Sequence, residues 1–179
     1  MYWQDDEARA PYQVPTDVVD LCFRVRCPRL PVDHAYPLSI SVSRHLPWLG
    51  REFGTAIHLM HGAESGNGWF RPPSGDYLEL SRRSRLRIRV SRERVDEASA
   101  LTGKTLKVAD SDIEVGECVE KLLTPSAVVF SRYVAMTDAE SEADFMHRCA
   151  EEIRGHGVRA RKLLCGKPLA FSMPEGELN

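Results

Sequence analysis

The sequence has no apolar run approaching the ~18 residues needed to cross a membrane. It also lacks a CxxC pair: the five cysteines, Cys22, Cys27, Cys118, Cys149 and Cys165, are odd in number and scattered. That pattern builds neither a disulfide framework nor a zinc site, and fits reduced thiols in a cytoplasmic protein. The acidic start, MYWQDDEARAPYQ, is not a secretory signal. There is no Walker loop, no GxGxxG, no GxSxG and no HExxH. Their absence argues against P-loop, dinucleotide-binding, α/β-hydrolase and zincin chemistry, and neither a metal nor a cofactor is expected. No internal repeat or low-complexity tract is visible. The net charge of −2 predicts no polyanion partner from bulk charge alone.

What is present is a soluble globular composition, with 42% hydrophobic and 28% charged residues in 179 positions. That length suits one domain or two small ones. The charge is unevenly spread. RRSRLRIRVSRER, residues 82–94, holds arginines 82, 83, 85, 87, 89, 92 and 94 against one acid, Glu93. Acids gather instead in QDDE near the start and DAESEAD at 138–144. Within the run, Arg85, Arg87 and Arg89 alternate with Leu86, Ile88 and Val90. This period of two predicts a strand with an apolar face inward and guanidiniums outward. Planar guanidinium forks suit phosphate oxygens, so the run reads as an anion-binding face. The plainer alternative is a solvated strand face.

Periodicity and breakers predict strands over 17–26, 55–60, 77–80, 85–90, 104–108, 113–119, 127–136, 159–165 and 168–173. Helices are predicted over 33–46, 92–101 and 139–154, with Asp33 capping the first. The order is β-α-β-β, intervening hairpins, then β-α-β-β again. It points to an α+β protein made of two ferredoxin-like (RRM-like) folds in tandem, antiparallel sheets with helices on one face. The expected divisions are a tail over 1–16, a first fold over 17–124 and a second over 125–179.

Six histidines are the remaining chemical candidates. The acid pairs Asp5/Asp6 and Asp110/Asp112 sit in polar tails or turns, where carboxylates are normally solvated. His58 and His61 are three apart in a strand, on opposite faces, which is a poor metal-ligand arrangement. His147 and His156 lie on or just past the last helix, as surface groups do. His34, His45 and His58 are left, and His58 in an apolar strand reads first as a packed, hydrogen-bonded residue.

At these residues a resemblance enters. The pieces DLCFRVRCPRLPVDHAYPLSISVSRHLPWL, AIHLMHGAESGNG and SRLRIRV resemble the CRISPR-associated endoribonucleases that cut precursor guide RNA, of the RAMP superfamily and nearest its MYXAN subtype. LTGKTLKVADSDIEVGECVEKLLTPSAVVFSRYV and FMHRCAEEIRGHGV continue the likeness over residues ~17–172. The resemblance implies two ferredoxin-like folds, CRISPR repeat RNA as partner, and further effector subunits as companions. It implies metal-free cleavage, in which a histidine helps the ribose 2′-OH attack the adjacent phosphate. The products are a 2′,3′-cyclic phosphate and a 5′-OH end. The family continues past Lys167–Met173 into a glycine-rich segment that Gly166 and Gly176 do not make, so the expectation is a truncated chain, a missing strand supplied by another chain, or an incomplete second fold.

On this resemblance His34, in DHAY, is ranked first as the catalytic base. Tyr36 beside it would donate to the phosphate, and His45 is the second imidazole. The positive end of the helix would keep His34 neutral, as a base requires, and the negative end would favour a protonated His45. Arg44, Arg82, Arg83, Arg85, Arg87 and Arg89 are the expected RNA-binding set. Two other readings stay open. One is a catalytically inactive RNA-binding subunit of an effector complex. The other is a protein–protein adaptor on the same scaffold, with Trp48, Trp69 and Phe70 as its contact patch.

Overall fold

The computed structural model describes residues 2–4, 14–62, 77–126, 128, 129, 131, 134, 136, 140–158 and 160–166. In chain order its elements are β1 (Tyr2–Gln4), β2 (Val18–Arg26), β3 (Arg29–Pro31), α1 (Ala35–Ser43), β4 (Ala56–Ile57), β5 (Tyr77–Glu79) and β6 (Arg85–Ser91). A 3-10 turn over Arg92–Arg94 runs into α2 (Val95–Ser99). Then come β7 (Thr105–Val108), β8 (Ser111–Leu122), α3 (Glu142–Gly155) and β9 (Lys162–Leu164). The chain divides into a larger unit, Tyr12–Pro125, and a smaller one formed by Met1–Pro11 with Ser126–Asn179.

The larger unit is organised around β2. Its alternation puts Val19, Leu21 and Phe23 on one face, each at most 1% exposed, and Asp20, Cys22 and Arg24 on the other. β2 pairs antiparallel with β6 and β8, giving a five-stranded sheet in the order β4-β6-β2-β8-β7. All its pairings are antiparallel. Leaving out the extra edge strand β7, the elements β2-α1-β4-β6-α2-β8 form a split β-α-β pattern, compatible with a ferredoxin-like fold. Leu86, Ile88 and Val90 of β6 and Leu106, Val108, Ile113 and Val115 of the β7–β8 hairpin complete the apolar face. Burial of each such side chain is worth about 1.5–3 kcal/mol.

Both helices of this unit lie on that apolar face. Leu38 and Val42 of α1 and Ala98 of α2 belong to the same buried cluster. α1, AYPLSISVS, is short and rich in β-branched residues and serine, so packing rather than propensity holds it. Pro37 is tolerated because it sits in the first turn, where backbone N–H groups have no intrahelical partner. The helix starts two residues later than the periodicity predicts, and His34 rather than Asp33 occupies the N-cap position. β3 and β5 form a separate two-stranded ribbon, which buries Leu30 and Leu78.

In the smaller unit, α3 is capped by Ser141, whose Oγ accepts from the Asp144 N–H at 3.2 Å. Glu142 and Asp144 place negative charge at the positive end of the helix. Phe145, Met146 and Ala150 are its buried face, and Gly157, at φ 75°, provides the left-handed residue after its end. The segment read from the sequence as an N-terminal tail contributes β1, which pairs antiparallel with β9. Of the strand expected over 127–136, the described residues Val128, Val129, Ser131, Val134 and Met136 are exposed and take no strand. The strand expected over 168–173, Trp69 and Phe70 lie outside the described residues. Among the described residues, no helix is long and apolar enough to cross a membrane.

Candidate nucleic-acid interface

Among the described residues, no helix of this unit packs on the second face of the five-stranded sheet. Residues directly opposite on paired strands share a face, so the register defines its rows. Arg89, Asp20 and Lys121 form one row; Arg87, Cys22 and Val119 form the next; Arg85 and Arg24 form a third. Arg24, Arg85, Arg87, Glu117, Val119 and Lys121, with Cys22 and Cys118, line a depression of about 260 Å³. Four of those eight groups are cationic and one is acidic. Cys22 is only 3% exposed and sits below the arginines.

The seven arginines of the 82–94 run divide sharply by partner. Arg89 bonds Asp20 through Nε (2.9 Å) and Nη2 (3.3 Å). Arg92 bonds Glu120 at 2.8 Å and the Thr16 carbonyl at 2.9 Å. Arg94 is held by Glu52 and Glu97 and stacks on Trp48, its guanidinium carbon 5.0 Å from the ring centroid. These three are already neutralised within the fold. Arg85 donates Nη1 to the carbonyls of Arg82 and Ser84, both at 2.8 Å, which fastens the β5–β6 turn. Arg82, Arg83 and Arg87 are exposed and have no acidic partner among the described residues, and the same holds for Arg24, Arg44 and Lys121. An arginine on a strand face with its charge unspent is what a phosphate chain would meet.

The histidines fall on different sides of this sheet. His34, ranked first from the sequence, is 1% exposed. Its Nδ1 lies 2.8 Å from the Pro31 carbonyl, and its Nε2 accepts from the Met60 N–H at 3.1 Å. The two bonds require a neutral ring with Nδ1–H donating, and they occupy both nitrogens. As placed, His34 has neither access nor a lone pair to offer a ribose hydroxyl; it clips the loop before α1 to the segment after β4. Tyr36 is half-buried on α1, and its carbonyl accepts from the Ser39 hydroxyl at 2.8 Å. His45 is exposed just beyond the end of α1, and its N–H donates to the Val42 carbonyl at 2.9 Å. Arg44, the C-cap residue, is exposed beside it. α1 packs on the covered face, so the structure does not bring His34 and Tyr36 together with Arg85, Arg87 and Arg89.

His58 is different. It extends β4, and its N–H donates to the Arg87 carbonyl at 3.0 Å, which aligns it with Arg87 on the second face. Its Nε2 lies 3.6 Å from Asp20 Oδ1, slightly beyond a hydrogen bond, and has no other partner among the described residues. Burial pushes its pKa below the ordinary imidazole value; Asp20 acts in the opposite direction, and Arg89 and Arg87 add to the lowering. Arg24 and Lys121 were also missed from the sequence. Arg24 follows the alternation Asp20, Cys22, Arg24 and could have been read from it. Lys121 lies beyond a register shift in the β2–β8 pairing, where alternation no longer predicts the face.

Together these features define an α+β protein whose antiparallel sheet is covered by helices on one side and is cationic and grooved on the other. The chain belongs to the Cas6 family: the family model described as "Cas6 Crispr" matches residues 19–179. It is similar to the "CRISPR-associated endonuclease Cas6" of Myxococcus xanthus (strain DK1622), with 29% identity over 142 residues, covering 79% of this chain. The aligned stretch spans 58% of that relative's length.

Proposed function

We propose that this chain binds CRISPR repeat RNA and cleaves precursor guide RNA by attack of a ribose 2′-OH on the neighbouring phosphate. The observation that carries the reading is the cationic groove, whose Arg24, Arg87 and Lys121 have no acidic partner among the described residues, with Arg85 at its wall, in a member of the Cas6 family. Phosphates run along the groove, and Arg82 and Arg83 at the β5–β6 turn extend the cationic path. Arg89 holds Asp20 rather than RNA. The reaction needs an imidazole and cationic donors for the charge that builds on phosphorus, not a resident metal ion. Of the two imidazoles on or beside α1, His45 is the accessible one, with Arg44 beside it, and His34 positions the loop. The fold proposed is a first ferredoxin-like unit over the larger body and a second in the smaller, in tandem. Companion effector subunits would hold the product complex.

The test is to incubate the chain with an end-labelled repeat hairpin in EDTA. Cleavage to a 2′,3′-cyclic phosphate and a 5′-OH end supports the reading. A mobility shift without cleavage supports the inactive RNA-binding subunit instead. No shift overturns both, and leaves the adaptor.

A further inference from the structure

We propose that His58 is the imidazole that takes the ribose proton, with Asp20 as its positioning residue and Arg87 as the phosphate partner. The proposal rests on the RNA-cleavage reading above and moves its chemistry from α1 to the open sheet face. Three observations converge. The first is placement: the backbone bond to Arg87 sets His58 one strand spacing, about 5 Å, from an arginine that lines the groove and has no acidic partner among the described residues. A phosphodiester clamped by Arg87 therefore lies within reach of the ring.

The second is orientation. Nε2 is closed off from solvent and faces Asp20 Oδ1 at 3.6 Å. Asp20 is itself fixed, 7% exposed and gripped by Arg89 through two bonds. A carboxylate on that side favours the tautomer with the proton on Nε2. Nδ1 is then the nitrogen with a lone pair, and it has no hydrogen bond among the described residues. The third is protonation. Burial, with Arg87 and Arg89 nearby, favours the neutral ring against the pull of Asp20, and a general base must be neutral. His34 meets neither of the first two conditions, and His45 sits past the end of a helix on the other face.

The step balances without a cofactor. His58 Nδ1 accepts the 2′-OH proton as the 2′-oxygen bonds to phosphorus. The P–O5′ bond breaks with its electron pair on O5′, and water supplies the proton for the leaving 5′-oxygen. Arg87 offsets the charge on the non-bridging oxygens.

The experiment compares wild type, His58→Gln and Asp20→Asn on a labelled repeat hairpin, measuring single-turnover cleavage and affinity separately. His58→Gln should lose about 10²–10⁴-fold in cleavage at unchanged affinity, which also shows that it is folded. Asp20→Asn should cut more slowly with a displaced pH profile. In wild type, the acid limb of kcat/KM should fall below pH 6.5, the ordinary value for this group. The groups facing the ring that set that limb are Asp20 on β2 and Arg87 and Arg89 on β6. If wild type cuts and His58→Gln cuts as fast, or the acid limb lies above 6.5, the inference is overturned while the cleavage reading stands. If wild type binds without cutting, both are overturned.

Discussion

The two faces of the five-stranded sheet use the same residue types to opposite ends. On the covered face an imidazole, His34, has both nitrogens bonded to backbone and is lost to solvent. On the open face an imidazole, His58, keeps one nitrogen against a carboxylate and the other without a bond among the described residues. Arginines divide in the same way. Those toward the end of β6 and beyond, Arg89, Arg92 and Arg94, are consumed by Asp20, Glu120, Glu52 and Glu97. Arg87 and the turn arginines are not. Residue type thus says little about function until the partner is known: a side chain with its bonds filled holds the fold, and one with bonds unfilled can hold a ligand.

The contrast can be broken most forcefully from the covered side. Phe23→Ala removes a fully buried ring from the strand at the centre of the sheet, and should cost about 3–5 kcal/mol in urea unfolding. A cost under ~1 kcal/mol would mean that this face is not the core. Next comes His34→Ala. It leaves the Pro31 carbonyl and the Met60 N–H without their partner, and each orphaned group costs about 1–3 kcal/mol. His45→Ala, at an exposed position, should stay within about 0.5 kcal/mol. Equal effects of the two histidine variants on denaturant midpoints would erase the distinction.

The open side gives smaller effects, read in salt dependence. Arg24→Ala and Arg87→Ala should each lower the log–log slope of RNA affinity against salt by about 0.7–0.9. Arg89→Ala should change the slope less and stability more, since it strands the buried Asp20. If all three shift the slope alike, the division of the run by partner is wrong. The smallest effect concerns pH. His58 is more easily protonated unfolded, near 6.5, than folded, so the unfolded chain binds the extra proton and stability falls as pH drops through that value. His58→Gln should flatten the pH dependence of the unfolding midpoint there. An unchanged slope would show that burial does not act on this ring.

Much of the open face was legible because strands write themselves with period two: Arg85, Arg87 and Arg89 against Leu86, Ile88 and Val90 could be assigned to faces without coordinates. What each arginine meets was not legible. Asp20 lies 69 positions from Arg89, and Glu52 lies 42 from Arg94; only the strand order brings them together. What His34 meets was hidden for the same reason. Its local signals, a helix start after two prolines, fit a projecting base, while the bond that closes it comes from Met60, 26 residues on. β1 escaped notice because three residues carry no period, and its partner β9 is at the far end of the chain.

The irregularity in the β2–β8 pairing, between Phe23/Val25 and their partners Cys118/Val115, acts as a change of phase in how the strand spells its two faces. Before it, the odd-numbered Ile113 and Val115 point to the core; after it, the even-numbered Cys118 packs there, and Lys121 stands opposite Asp20. Gly116 sits at the step, where an added Cβ would come within 3.4 Å of the Arg24 side chain and 3.5 Å of its carbonyl. Were the strand to pair without this step, keeping the register that sets Val25 against Val115, Glu120 would stand opposite Asp20 where Lys121 now stands. The sign of that corner of the groove is therefore encoded by a count of residues as much as by their identity. The same letters paired without the step would present the opposite charge to an incoming strand.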